Sequence, residues 1–268
     1  MPRYSIPDFL KIDLEKTTKK LVDCIRRIVA DADANGVVIG LSGGVDSSTI
    51  TALSVRALGV DRVKVLLMPD KESSRKGLED AERVISILGL KDVVKVDITP
   101  IVEAVLKLGG DDYETAPRIP KANVKARARM ILLYYYANKE NRLVVGSSNR
   151  SEWLLGYFTK WGDAAADFYP LLGLYKTQVR MLAEYIGIPE DIAWKPSSPD
   201  LWPGQKAMDE LGAEYDILDP ILYYMFDVGL RDEEIVKKTR APLELVKAVR
   251  ERHIKSGHKR SPLKVCVP

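Results

Sequence analysis

Four short apolar runs constrain the fold of this chain: Val37 to Leu41, Val63 to Pro69, Val93 to Thr99 and Arg142 to Ser148. Between them lie stretches with helical spacing. From Leu14 to Ala34 the apolar positions Leu14, Leu21, Val22, Ile25, Ile28 and Val29 recur every three or four residues, which predicts an amphipathic helix ended by Asn35-Gly36. A helix from about Ser47 to Leu58 closes on Gly59, and "GLEDAERVISILGL" and "ANVKARARMILLYYYANK" predict two more. Continuous apolar strands alternating with helices give an α/β fold, a doubly wound, mainly parallel sheet with helices on both faces. Ligands of such sheets bind at the carboxyl ends of the strands, near the switch in strand order. Gly43-Gly44 and "GSSNRSE" both fall at such ends.

The chain has 268 residues, 46% hydrophobic and 29% charged, enough to bury a sizeable core in a single domain over residues 1–268. A net charge of +3 is too mild to argue for nucleic acid or an anionic membrane as partner. The two cysteines, Cys24 and Cys266, form no cluster, so neither a zinc site nor a disulfide framework is expected, and a reducing cytoplasmic setting fits. Cys24, among apolar neighbours, reads as a buried structural thiol. No apolar run approaches the roughly 20 residues of a membrane helix.

Beyond Ser148 the texture changes. "GYFTKWGDAAADFYPLLGLYK" and "AWKPSSPDLWPGQ" mix aromatics, glycines and charges with little periodicity, as functional irregular segments do. Helical spacing returns from Glu214 to Lys259.

The turn after the first run, "GLSGGVDSS", is built to approach an anion. Glycines at 43 and 44 allow positive φ, Ser42, Ser47 and Ser48 carry hydroxyls, and the next helix begins with free N–H donors. It lacks the Gly-Lys-Ser/Thr ending of the GTPase phosphate loop and carries Asp46 instead. Two readings follow. Asp46 caps the helix, or a hard cation such as Mg2+ stands between its carboxylate and phosphates.

Ser42-Gly43-Gly44-Val45-Asp46-Ser47 resembles the signature of the ATP-pyrophosphatase group, which cleaves ATP between its α and β phosphates and transfers AMP. "NVKARARM", "GSSNRSEWLLGYFTKWGDAAADFYPLLGLYKTQVR", "KPSSPDLWPGQ" and "GHKR", in that order, resemble the NAD synthetase family. The resemblance implies an adenine nucleotide alpha hydrolase-like fold. It also implies ATP-dependent amidation of nicotinic acid adenine dinucleotide (deamido-NAD) with ammonia, giving NAD, AMP and pyrophosphate through an acyl-adenylate.

The resemblance further implies roles residue by residue. Gly40, Leu41, Ser42, Gly43, Gly44, Val45, Asp46 and Ser47 would take ATP, together with Ser147, Lys176 and Ser198. At positions 147 and 198 the family often has threonine. Asp46 and Glu152 would hold Mg2+, Lys176 would act on the phosphates, and Asp163 would stand near the incoming ammonia. Arg127, Lys160, Asp167, His258 and Lys259 would take deamido-NAD. Read alone, Glu152 is a solvated helix-start residue, "GDAAAD" a turn with a cap, and the lysines and arginines surface charges. The segments "DDYETAPRIP" and "PSSPDLWPGQ" are expected to cover the site and exclude water.

Family resemblance also implies a homodimer, with "ARMILLYYYANK" and the first helix offering apolar surface. Only 36 residues precede the first strand, so no glutaminase domain is expected and the donor should be free ammonia. The rivals are a free-standing GMP synthetase subunit, which would share the loop but has no reason to carry "GYFTKWGDAAAD", and a nucleic-acid-binding module, because Arg231 to Arg260 reads as helix, turn, helix with a basic end.

Overall fold

A computed structural model describes residues 6–261. Its elements are α1 (Leu14–Asp31), β1 (Gly36–Gly40), α2 (Val45–Leu58), β2 (Val63–Leu67), α3 (Arg75–Leu88), β3 (Val93–Lys95), α4 (Thr99–Leu108), α5 (Arg118–Glu140) and β4 (Arg142–Val144), followed by α6 (Arg150–Leu155) and α7 (Lys176–Tyr185). Then come α8 (Glu190–Ala193), α9 (Ala207–Leu211), α10 (Tyr215–Leu222), α11 (Asp232–Thr239), α12 (Leu243–Lys255) and α13 (Gly257–Arg260). No described helix is long and apolar enough to cross a membrane.

The strands lie in the order β3-β2-β1-β4, all parallel, with Val37 opposite Val63 on one side and Leu143 on the other. Side chains alternate between two apolar layers, as strand geometry requires. Val37, Ile39, Val63 and Val65 join Val22, Ile25, Ile50, Leu53 and Leu182 on one face. Val38, Leu66 and Val144 join Ile98, Val102 and Ala128 on the other. Both faces being covered explains the continuous apolar runs. The chain adds β2 and β3 to one side of β1, then crosses through α4 and α5 to lay β4 on the other side. The switch point is therefore between β1 and β4, and the segments leaving those two strands face one another.

Three runs become shorter strands than expected, the second stopping at Leu67. The third stops at Lys95, although Val96 N and Ile98 N still donate to Leu67 O and Pro69 O at 2.9 Å; α4, a helix the sequence does not announce, follows directly, and Asp97 accepts the N–H of its first residue, Thr99, at 2.8 Å. The fourth stops at Val144, beyond which Val145 bridges in parallel to Phe168. The helix α1 packs into the main core against α2 and α7 and so covers the sheet. Cys24 on it is half-buried rather than fully buried, and Cys266 lies outside the described residues.

A third apolar cluster, away from the sheet, unites α9, α10, α11 and α12 with Leu155 and Tyr175, which flank the site segments. The two helices α11 and α12 bury Ile235, Val246 and Val249 in it, so the helix-turn-helix pattern of the tail is accounted for by packing.

Candidate active site

Gly44 is the N-cap of α2 and Asp46 lies in its first turn with no capping bond, so Asp46 does not cap the helix. The loop is braced internally: Ser47 Oγ donates to Gly44 O at 3.1 Å and accepts from Ser42 N at 3.2 Å, and the Ser42 and Ser47 hydroxyls are 3.1 Å apart. Ser48 does not offer its hydroxyl to a ligand, since it is fully buried between α2 and its neighbours. Gly43 has φ +75° and Gly44 does not share the positive φ. A Cβ on Gly43 would meet Gly77 O at 2.2 Å and Ala81 N at 2.8 Å, both backbone atoms of α3.

Across the switch point, Asn149 caps α6. Its Oδ1 accepts from Glu152 N at 3.0 Å and its own N–H donates to Glu152 Oε2 at 3.3 Å, a reciprocal capping box. The Asn149 Nδ2 donates to Asp46 Oδ1 at 2.8 Å, so one fully buried amide positions both acidic residues. Lys176 begins α7 and is buried; its Nζ stands 2.5 Å from Asp46 Oδ2 and 2.8 Å from Glu152 Oε1. Behind it, Ser151 Oγ accepts the Lys176 N–H at 2.9 Å and donates to Asp219 Oδ1 at 2.6 Å, and Asp219 Oδ2 accepts from Thr177 N at 2.8 Å.

Electrostatics follow from burial and pairing. Loss of solvent pushes Glu152 up, helped by nearby Asp46 and opposed by Lys176. Burial alone would lower Lys176, but Asp46 and Glu152 overcome it and hold the ammonium above its ordinary value. Asp219 is pushed up to about 6 by burial, against the Ser151 and Thr177 hydrogen bonds.

Two carboxylate oxygens from different elements thus converge on one cation position, and a lysine ammonium already stands there. That donor set suits a hard divalent ion such as Mg2+, which takes one or two carboxylates and completes its shell with phosphate oxygens and water. No cluster of three or more His, Cys, Asp or Glu side chains among the described residues offers a fuller protein cage.

The residues expected at the dinucleotide form a second group. Arg127 donates to Lys160 O at 3.2 Å, Lys160 Nζ to His258 O at 3.0 Å, and Lys259 Nζ to Gly156 O at 2.8 Å and Phe158 O at 2.7 Å. Asp163 accepts the Thr159 N–H at 2.8 Å. The surrounding protein raises its carboxyl, while hydrogen bonds from Thr159 and its own N–H, and the charges of Lys259 and Arg129, oppose the rise. Asp167 stands apart, taking Val144 N at 2.7 Å and Tyr134 OH at 3.2 Å at the edge of β4. Ser147 follows β4, and Ser198 lies exposed on the segment before α9, where its Oγ accepts from Asp200 N at 3.1 Å.

That segment is fastened over the carboxyl end of β2. Asp200 accepts Ser74 N at 2.9 Å, and the fully buried Lys125 reaches Leu201 O at 2.8 Å, Asp70 at 2.6 Å and Glu72 at 2.7 Å. Lys125, Asn149, Ser151 and Asp219 were not singled out from the sequence. Asn149-x-x-Glu152 is a visible capping-box pattern; the others carry no local signal.

Comparison with known proteins identifies the family. Residues 17–263 match the NAD synthase family. An NH(3)-dependent NAD(+) synthetase of Hyperthermus butylicus is 49% identical over 97% of this chain and 93% of its own length. An NH3-dependent NAD synthetase of Campylobacter jejuni superposes with a TM-score of 0.79 at 33% identity, covering 96% of this chain and all 100% of that one. An NMN synthetase of Francisella tularensis superposes with a TM-score of 0.82 at 32% identity, covering 96% and 99%. The parallel sheet with helices around it is the adenine nucleotide alpha hydrolase fold of these NAD synthetase structures. With a family match over residues 17–263 and relatives that align over nearly the whole chain, the chain belongs to the NAD synthase family.

Proposed function

We propose that this protein is an ammonia-dependent NAD synthetase, acting as one domain over residues 1–268. A carboxylate reacts poorly with an amine, because its oxygen is a poor leaving group. The nicotinate carboxylate oxygen of deamido-NAD therefore attacks the α phosphorus of ATP and pyrophosphate leaves; ammonia attacks the resulting acyl-adenylate carbonyl, AMP leaves with the C–O bond electrons, and a proton is released. The observation that carries this reading is the meeting of Asp46, Glu152 and Lys176 at the switch point, in a chain whose relatives are named for this reaction.

The loop from Gly40 to Ser47 presents backbone N–H groups to the phosphates, and Ser147 and Ser198 flank the nucleotide. Lys176 adds positive charge where the pyrophosphate departs. Asp46 and Glu152 would hold Mg2+, which would supply charge neutralisation on the same leaving group. Arg127, Lys160, Asp167, His258 and Lys259 bind deamido-NAD. Asp163 holds the incoming nitrogen and accepts its proton on Oδ2, the oxygen that Thr159 does not use. The segment around Trp202 excludes water that would hydrolyse the adenylate.

The test is incubation with ATP, Mg2+, ammonia and deamido-NAD, with equal AMP and NAD as the expected products. Pyrophosphate release without NAD, or preference for the mononucleotide over deamido-NAD in a parallel assay, sinks the reading. Glutamine in place of ammonia should give little NAD. Asp46→Asn and Glu152→Gln should each lower pyrophosphate release by about a hundredfold or more, and normal release by either variant removes the metal role.

A homodimer is part of this proposal. Ile131 and Tyr135, one turn apart on α5, are 55% and 56% exposed and offer an apolar stripe for a second copy.

A further inference from the structure

Lys176 occupies the one point at which Asp46 and Glu152 converge. Its ammonium is 2.5 Å from Asp46 Oδ2 and 2.8 Å from Glu152 Oε1, with 3% of the side chain exposed. A divalent ion bound by those two oxygens needs the same place, and like charges at contact distance repel strongly in a site shielded from water.

We propose that Lys176 is a built-in occupant of the metal position: the nucleotide-free enzyme excludes the divalent ion and admits it only together with ATP, whose phosphates draw the ammonium off the carboxylates. This deepens the reading of Asp46 and Glu152 as metal ligands and rests on it.

Three arrangements favour the occupied state. The remaining oxygens are already engaged, Asp46 Oδ1 by Asn149 Nδ2 at 2.8 Å and Glu152 Oε2 by Asn149 N at 3.3 Å, so each carboxylate turns its other oxygen to the lysine. The Lys176 backbone is tied to Ser151, the neighbour of Glu152, at 2.9 Å, which fixes where the side chain starts. The Tyr215 ring lies 5.3 Å from Nζ and adds a cation–π contact on the protein side.

Release is equally built in. The charge sits on a flexible four-carbon stem, so the ammonium can swing to a phosphate oxygen while the α7 backbone stays in place. Phosphate oxygens then replace what each cation loses. Because coupling between two ligands is reciprocal, the divalent ion should strengthen ATP binding by the same factor as ATP strengthens metal binding.

The experiment titrates the nucleotide-free full chain with Mn2+, reading the free ion by electron paramagnetic resonance. Wild type should show no site tighter than about 1 mM. Lys176→Gln should gain one site at least about tenfold tighter, and adding Asp46→Asn should remove it. A wild-type site as tight as the variant's, abolished by Asp46→Asn, overturns the proposal and leaves the two carboxylates as ligands. A folded Lys176→Gln that gains no site also overturns it.

A separate arm tests the underlying reading. Wild type with Mn2+ and α,β-methylene-ATP should form a ternary complex, seen as enhanced water-proton relaxation and lost in Asp46→Asn. Indifference of that complex to Asp46 overturns the metal assignment itself. If Lys176→Gln does not fold by circular dichroism, the wild-type titrations decide: a nucleotide-free site dependent on Asp46 overturns the proposal, and its absence beside an Asp46-dependent ternary complex supports it.

Discussion

The side-chain amide of Asn149 donates to Asp46 at 2.8 Å across 103 residues of sequence. The same residue caps α6 and so orients Glu152. One neutral group therefore fixes the separation of the two acidic side chains, as outer partners of metal ligands commonly do.

Replacing it separates these two tasks. Asn149→Ser keeps an acceptor for the Glu152 N–H, and serine is as good a cap as asparagine, but it has no amide to give Asp46. The expected result is a fall in kcat/KM of about 10- to 100-fold, with a thermal midpoint within about 4 °C of wild type. Asn149→Asp should fall further, because it puts a second carboxylate against Asp46. Steady-state kinetics beside thermal unfolding checks both.

Asp219 supports the site from behind. In Asp219→Ala the Ser151 hydroxyl and the Thr177 N–H lose their acceptor in a fully buried place, at a cost of about 1–3 kcal/mol for each group left unpaired. Urea unfolding should show the loss. The KM for ATP should also rise, since Ser151 holds the Lys176 backbone.

His253 gives stability a pH dependence of known sign. Loss of solvent lowers it below 6.5, opposed by the hydrogen bond to Leu154 O and aided by the charges of Arg260 and Arg250. Its ring lies on Phe226 with centroids 4.3 Å apart. The unfolded chain then takes up a proton at a pH where the folded one does not, so this contribution is complete above 6.5 and is lost as pH falls through the lowered value. The drop in thermal midpoint between about pH 7.5 and about pH 5.5 should be smaller in His253→Gln than in wild type.

The proposed dimer is tested at α5. Ile131→Asp puts a charge into the exposed stripe with Tyr135, and light scattering should then give the mass of one chain where wild type gives that of two. A wild-type monomer at micromolar concentration removes the proposal.

Much of this was legible before any coordinates. The sheet could be read because β1 is apolar on both faces and β2 is so apart from Lys64, as strands of a sheet covered on both sides are. The ends of β3 and β4 could not, since β3 runs straight into α4 and Val145, still bonded to Val38 O, also bridges to the distant Phe168. Asp46, Glu152 and Lys176 stood in recognisable segments. The amide of Asn149 and the carboxylate of Asp219 act across 103 and 68 residues, and no local pattern records a contact of that span. The burial of Ser48 is not legible either, because hydroxyl content alone does not say which side of a helix faces the cleft.

Gly43 carries a consequence of another kind. The space its absent Cβ would need is filled by the Gly77 carbonyl and the Ala81 amide, main-chain atoms that have no rotamer to yield. Its glycine is therefore demanded by the neighbouring helix before any nucleotide arrives. In a library selected only for soluble, folded chains, with no requirement for turnover, position 43 should return glycine. Part of what looks like a ligand signature is thus a record of how α3 leans on the loop.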